Sequence, residues 1–374
     1  MAKHPKLNLA MIGCGFMGRA HSNAFRQAGC FFDIPYELRL RVVCGRKPEA
    51  VENFARRWGW EEAQTDWQSV VTRKDVDAVD IGAPNHLHAP IAIEAAKAGK
   101  IVFCEKPLAM NLEEAEHMAE AARKVPTLVW FNYRRVPAIA LAKQLVDQGK
   151  IGTPYHYRAT YLQSWGGDPD RAGVWRFRKA EAGSGVLGDL LSHSLDLALL
   201  LNGKIIEVSS LIHTFVPNRE VDDAVVLVAR FANGSIGSFE ATRFATGCRN
   251  RNSFEIHGSH GAIRFNLEDL NRLEVFDKSD ASEVEGHHNL LVTGPGHPYV
   301  GRFWPPGHIL GYEHTFIASL ADFLACLAGQ HTFHPNFDDA VGVQRLLEAV
   351  ESSARTRSWT SVGTAAPERT SSVA

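Results

Sequence analysis

Cysteine is scarce: six in 374 residues, at positions 14, 30, 44, 104, 248 and 326, with no CxxC pair and no metal-ligand spacing. That excludes a disulfide framework and a cysteine-built zinc site, and fits a reduced compartment. An excess of one charge is lacking too. Forty basic residues against forty-two acidic ones give a net charge of −2, where a nucleic-acid or polybasic membrane surface would be strongly basic. No run reaches the roughly 18 apolar residues that a membrane span needs. The N-terminus shows no signal-peptide architecture. These absences leave a cytoplasmic protein without nucleic-acid or membrane partners, and the length predicts two domains.

What is present falls into two textures. Up to residue 131, short apolar runs (Leu7–Ile12, Arg41–Cys44, Val76–Ile81, Ile101–Cys104, Leu128–Phe131) alternate with helix-length segments (Arg19–Gly29, Pro48–Trp58, Pro90–Gly99, Leu112–Lys124). Strands separated by helices of this length imply βαβ units, so residues 1–131 read as an α/β, doubly wound parallel sheet that binds a dinucleotide. Residues 132–362 read as a second, α+β domain. There strands follow one another from Ile205 to Phe276, and Asn233-Gly234 marks a hairpin, so a large, mainly antiparallel sheet is predicted. Residues 285–314 read as a long loop, and 363–374 as a disordered tail.

Gly13-Cys14-Gly15-Phe16-Met17-Gly18 fits GxGxxG directly after an apolar strand and at the start of a helix, the context that makes it a dinucleotide fingerprint. Gly13 turns the chain, Gly15 lets the backbone approach the pyrophosphate, and Gly18 allows close helix–strand packing, while the helix N-terminus attracts phosphate. Phe16 and Met17 therefore join the cofactor set. The acid expected after the second strand is missing; Gly45-Arg46-Lys47 stands there instead. An arginine at this place accommodates a 2′-phosphate, so the cofactor is NAD or NADP, with a lean to NADP or dual use. Ala83-Pro84-Asn85, with His88 just beyond, and Glu105-Lys106 both end strands of the parallel sheet. Topology aims them at the crevice outside the strand C-termini, and Asn132 follows the last strand in the same way.

The segment Val186–Leu201 is an almost wholly apolar helix carrying Asp189, His193 and Asp196 at i, i+4 and i+7, hence on one face. Charged groups on such a helix need partners, either a structural ion pair or a site. No third ligand stands near Asp189 and His193, so no metal is expected. The set suggests oxidation of an alcohol: His193 takes the O–H proton, Lys106 stabilises the developing alkoxide, and Asp189 binds a neighbouring hydroxyl or orients the imidazole.

These motifs, with Asn132-Tyr133-Arg134 between them, resemble in order the Gfo/Idh/MocA oxidoreductase family over residues 7 to about 355. The resemblance implies a Rossmann domain, a C-terminal α/β domain, association into a homo-oligomer through the open sheet face of that second domain, and the catalytic set Lys106, Asp189 and His193. Further stretches, among them Phe131–Arg135, Tyr161-Leu162-Gln163, Trp175-Arg176-Phe177 and Phe254–Gly258, are similar to the sugar 3-dehydrogenases of that family. They imply oxidation at C3 of a sugar, anhydrosugar or glycoside, with Tyr133, Gln163, Trp165 and Trp175 as substrate contacts beside Lys106, Asp189 and His193. Gly45-Arg46 departs from the family's NAD pattern. An inositol dehydrogenase, a sugar oxidoreductase that keeps its cofactor bound, and a non-catalytic dinucleotide sensor are the competing readings.

Overall fold

Two sheets organise the chain in a computed structural model that describes residues 4–168 and 173–363. The tail expected to be disordered lies, beyond Gly363, outside the described residues. The first sheet is parallel, with strands β1 (Lys6–Ile12), β2 (Glu37–Cys44), β3 (Glu62–Gln64), β4 (Ala78–Ile81), β5 (Ile101–Cys104) and β6 (Thr127–Val129) in the order β3-β2-β1-β4-β5-β6. Its central strands are buried on both faces, which is why they read as continuous apolar runs. β3 carries no such run (Glu-Ala-Gln), so the sequence showed no strand there. The order reverses between β1 and β4, and that is where a crevice opens at the strand C-termini.

The second sheet has nine strands: β7 (Pro154–Leu162), β8 (Ile205–His213), β9 (Ala224–Phe231), β10 (Ile236–Thr242), β11 (Arg251–Gly258), β12 (Gly261–Asn266), β13 (Arg272–Asp277), β14 (His288–Leu291) and β15 (Thr360–Ser361). Their order is β14-β13-β12-β11-β7-β10-β9-β8-β15. All pairs are antiparallel except β7 with β10. β9 alternates buried and exposed residues along its length, the signature of a sheet with one covered and one open face. The long loop predicted over 285–314 is only partly irregular. It holds β14, a short helix Val300–Phe303, and the first turn of a helix Tyr312–Ala328.

That helix returns to the first sheet. Phe316, Phe323 and Leu324 join Phe25, Phe103 and Trp130 in one buried cluster behind β1, β4 and β5. Helix Phe337–Thr356 lies between the two halves, with Arg345 reaching Glu116 at 2.7 Å. Lys179–Asn202 is, against expectation, long and apolar enough to resemble a membrane span, yet most of it is buried within the protein. The helix read over 186–201 is also not uniform: Leu187–Leu191 form a π-helical turn before the α-helix Ser192–Asn202. All six cysteines are free thiols.

Candidate active site

The glycine loop after β1 has the shape a dinucleotide requires. Gly13 has φ 121°, and a Cβ there would lie 2.4 Å from the Gly82 carbonyl oxygen. At Gly18 a Cβ would meet the Gly13 oxygen at 2.4 Å and the Met11 side chain at 3.2 Å. At Gly15 it would meet nothing within 4 Å. The turn, the helix–strand contact and the open approach each fall on the glycine whose function demands it. Gly15 also caps helix Phe16–Phe31 without any side-chain hydrogen bond, which leaves the first backbone N–H groups free for an anion. The residues present therefore fit a pyrophosphate. After β2, Arg46 is exposed. Gly45 is required by packing, because a Cβ would lie 2.8 Å from Val51 and 2.9 Å from Cys14 Sγ.

Loops from both halves close the crevice. Asn85 Nδ2 donates to the Ala182 oxygen at 2.9 Å, and Asn132 Nδ2 donates to Thr315 Oγ1 at 2.8 Å. His88 is fully buried, with Nδ1 3.0 Å from the Pro107 oxygen and Nε2 3.0 Å from the Ala83 oxygen, and as a neutral ring it donates to one of them. It ties the two strand-end turns together, and burial, outweighing these carbonyls, pulls its pKa down. Pro107 in turn packs on the π-helical turn. A Cβ on Gly188 would lie 3.4 Å from Pro107 Cγ and 2.5 Å from Ser184 Oγ, so only glycine lets that turn approach so closely. The approach brings Lys106 Nζ to 3.0 Å from Asp189 Oδ1 and 2.7 Å from the Asp189 carbonyl oxygen.

Asp189 is the hub. Arg243 Nη2 donates to its Oδ2 at 2.7 Å, and Arg176 Nε lies 3.7 Å from the same oxygen. Burial would raise this carboxyl, but Lys106, Arg243 and Arg176 outweigh it and hold Asp189 well below the usual carboxylate range. His193, one turn on, is 5% exposed and ringed by Phe131, Tyr133 and Tyr161. Burial, reinforced by the Lys106 charge, pushes its pKa well below the ordinary 6.5. The carboxylate is thus held ionised and the imidazole neutral, a pairing suited to a base beside a fixed anion.

A cavity of about 620 Å³ lies over this set. Lys106, Asp189 and His193 line it together with Glu105, Asn132, Tyr133, Gln163, Trp165 and Arg176, and Phe16 and Met17 form its mouth. Trp165 Nε1 donates to Gln163 Oε1 at 2.5 Å, and Gln163 Nε2 donates to Asn250 Oδ1 at 2.7 Å, which fixes a polar edge along one wall. Trp175 does not reach this cavity. It lines a smaller neighbour of about 60 Å³ with Ala83, Asn85 and His88, against Arg176, whose guanidinium sits 4.7 Å from the indole.

Asp196 departs from the single face expected of the helix. It does not line the cavity but forms a bidentate pair with Arg134 (2.9 and 2.6 Å), both largely buried. The wider π turn rotates Asp189 relative to everything after it, so spacing counted on an ideal α-helix no longer holds. Arg243, Arg176 and Tyr161 were not singled out from the sequence. Arg243 left one signal: it continues the inward-facing series Phe239, Ala241, where a charged residue is out of place. Among the described residues, no three His, Cys, Asp or Glu side chains group to hold a metal.

Comparison with known proteins finds relatives that span both halves. Residues 7–133 match the oxidoreductase family with an NAD-binding Rossmann fold, and residues 139–264 match the GFO/IDH/MocA C-terminal domain. Levoglucosan dehydrogenase of Pseudarthrobacter phenanthrenivorans is 41% identical, over 95% of this chain and 98% of its own. A solved levoglucosan dehydrogenase in complex with NADH and L-sorbose superposes with a TM-score of 0.94 at 42% identity, covering 96% of this chain and all of that one. An oxidoreductase domain protein from Kribbella flavida superposes at 0.93 with 47% identity, over 96% of this chain and all of its own. With both halves matched in order and the crevice between them built from the residues above, the chain belongs to the Gfo/Idh/MocA family of NAD-dependent sugar and polyol dehydrogenases.

Proposed function

We propose that this enzyme oxidises a secondary hydroxyl, at C3, of a sugar, anhydrosugar or glycoside ring, with His193 as general base. The observation that carries the reading is the opposed electrostatics of the two neighbours on one turn: Asp189 is held as an anion by three cations, and His193 is held neutral by burial. A neutral imidazole facing the cavity can accept the hydroxyl proton, a step typically contributing about 10²–10⁴ in rate. Lys106, anchored on Asp189, places an ammonium where negative charge grows on the substrate oxygen. Asp189 cannot serve as the base while so strongly compensated, and it accepts a hydrogen bond from an adjacent hydroxyl instead. Tyr133, Gln163 and Trp165 line the same cavity and supply the sugar contacts. Gly13, Gly15, Gly18, Glu105 and Asn132 hold the dinucleotide, whose nicotinamide supplies the hydride acceptor when bound.

Two further points complete the proposal. Arg46 admits a 2′-phosphate, so the enzyme uses NADP as well as NAD. The open face of the second sheet, with Leu211, Val226, Val228 and Ile236 between 46 and 68% exposed, is covered by a second copy of the chain, since a patch of this kind marks an interface. The deciding experiment is a panel of sugars, anhydrosugars, glycosides and cyclitols assayed with NAD and NADP, with the oxidised carbon read by NMR. A 3-keto sugar is the expected product. Preferential oxidation of a cyclitol, or dinucleotide binding with no reduction by any substrate, would overturn the reading.

A further inference from the structure

A second cluster of charged groups adjoins the crevice through Glu105, and the mechanism above does not use its other members, His21 and Asp80. His21, on the helix that begins at the glycine loop, is fully buried. Its Nδ1 is 2.8 Å from Asp80 Oδ2 and its Nε2 is 3.0 Å from Glu105 Oε1. Neutral histidine has one N–H, so it cannot donate to two carboxylates at once. With both carboxyls ionised, contacts on both nitrogens are those of an imidazolium. Asp80 stands at the core of β4 and is 1% exposed, and its other oxygen accepts from Trp130 Nε1 at 2.8 Å. Trp130 stacks on the His21 ring with centroids 4.3 Å apart, and Phe316 lies 5.5 Å away. Burial opposes the charge, but the two carboxylates outweigh it and lift His21 from 6.5 to about 9.

Glu105 is where this cluster meets the site. It is 6% exposed, lines both cavities, and accepts the Lys106 backbone N–H on Oε2 at 3.1 Å. The two oxygens of one carboxylate therefore hold His21 on one side and the first residue of the catalytic turn on the other. A carboxylate gripped at both ends has one available rotamer, and the turn it grips carries Lys106 to Asp189.

We propose that His21 is a positioning residue: as a buried imidazolium it locks the Glu105 carboxylate, and through Glu105 it sets the turn that aims Lys106. The proposal rests on the assignment of Lys106 to the catalytic set. The test uses the full chain in four forms, unmodified, His21→Gln, Glu105→Gln and the double variant, with Lys106→Ala in parallel. Nitrogen NMR of the unmodified, cofactor-free protein should show protons on both His21 nitrogens well above the ordinary histidine range. One unprotonated ring nitrogen near neutral pH would overturn the proposal regardless of activity. In kinetics, each single variant should lower kcat about tenfold or more, the order of effect that misplacement of a catalytic group produces. NADH affinity of His21→Gln, read by fluorescence, should move less than about threefold, and the double variant should have a kcat no worse than the worse single one, as expected of residues acting as a unit. A merely structural role predicts a lower melting temperature with kcat per folded molecule unchanged, or additive losses, and either result refutes positioning. Should His21→Gln fail to fold, the nearly isosteric Glu105→Gln carries the kinetic arm alone. Full activity in Lys106→Ala would instead sink the catalytic assignment, leaving the NMR result to stand or fall by itself.

Discussion

Replacing Arg243 with methionine should abolish most activity while leaving the protein folded, although Arg243 is among the largest fully buried side chains. The guanidinium makes one ion pair, with Asp189, through Nη2. Its Nε and Nη1 have no hydrogen-bond partner among the described residues, and it lies instead over the rings of Trp165 (4.7 Å) and Phe177 (5.6 Å). Methionine retains the apolar packing and removes nitrogens whose unsatisfied burial costs about 1–3 kcal/mol each. Breaking a buried pair costs about 3–5 kcal/mol when the survivor is stranded, but Asp189 keeps Lys106 and Arg176. The two terms nearly cancel, so the net stability change should stay within about 2 kcal/mol. Activity depends on something else. A charge at 2.7 Å is worth about 6 kcal/mol at an effective dielectric of about 20 before desolvation is subtracted, and a neighbouring arginine lowers a carboxyl by about 1–3 pKa units. Asp189 should therefore remain ionised at neutral pH yet lose the bond that fixes its second oxygen, and misplacement of this order costs about 10²-fold. The assay is nicotinamide reduction with the preferred sugar, together with a thermal melt. Wild-type kcat/KM, or a loss of more than about 4 kcal/mol with turnover per folded molecule intact, would refute this account of the site.

His193→Ala should lower kcat by about 10²–10⁴ with NADH affinity nearly unchanged, and equal losses in both would remove it from the role of base. Because burial and Lys106 depress His193, the acid limb of kcat/KM for oxidation should fall well below the ordinary 6.5, and a limb at or above 6.5 contradicts a neutral buried imidazole. Arg46→Asp should shift cofactor preference toward NAD, and an unchanged NADP/NAD ratio of kcat/KM would show that Arg46 does not meet the 2′-phosphate. Asp196→Asn leaves Arg134 unpaired in the core and should cost about 3–5 kcal/mol, read by denaturant melts, while kcat of the folded fraction stays near wild type. Finally, His21 has a raised folded pKa, so its contribution is complete below about 6.5 and is lost as pH climbs through about 9. A rise of this size is worth roughly 3 kcal/mol. Melting temperature should fall across that alkaline window, and less so in Glu105→Gln.

The parts of the fold legible in the sequence were those whose signal is local. Parallel strands buried on both faces announce themselves as apolar runs, and the glycines announce themselves because turn, approach and packing each exclude a side chain at one place. The topology rule then aims Lys106 at the crevice without any knowledge of its partner. Features that depend on distant segments were not legible. Arg243 reaches Asp189 only because β10 pairs with β7 in parallel, a register no spacing encodes. Asp196 was grouped with Asp189 and His193 because an ideal helix puts them on one face. The π turn at Leu187–Leu191 breaks that count, and within it Gly188 packs closely on Ser184 and Pro107, a contact between segments that no helical spacing shows. The irregular stretch 285–314 likewise hid β14, which among the described residues pairs with β13 alone.

One consequence concerns how the halves are joined. Lys106 ends a strand of the first sheet, Asp189 and His193 begin a helix covering the second, and Arg243 follows a strand of the second sheet. No half alone holds the set. Three side-chain bonds, Asn85 to Ala182, Asn132 to Thr315 and Arg345 to Glu116, cross between segments far apart in the chain, and Tyr312–Ala328 packs its apolar face into the core behind the first sheet. The same helix presents Tyr312 to the cavity, where it stacks on Phe16 with centroids 6.0 Å apart. The crevice is therefore bounded by elements anchored in both cores. Lys106 and Asp189, 3.0 Å apart, come from opposite halves, so the docking of the halves brings the two charges of the proposed site together. Loosening the helix, for example by Phe316→Ala, removes apolar packing behind Trp130 and His21 at a cost of about 3–5 kcal/mol. It should lower kcat and the melting temperature together, unlike Arg243→Met, which should lower kcat alone. If both variants moved the two quantities in the same proportion, activity would be tracking bulk stability, and the separation drawn here between the charged site and its scaffold would fail.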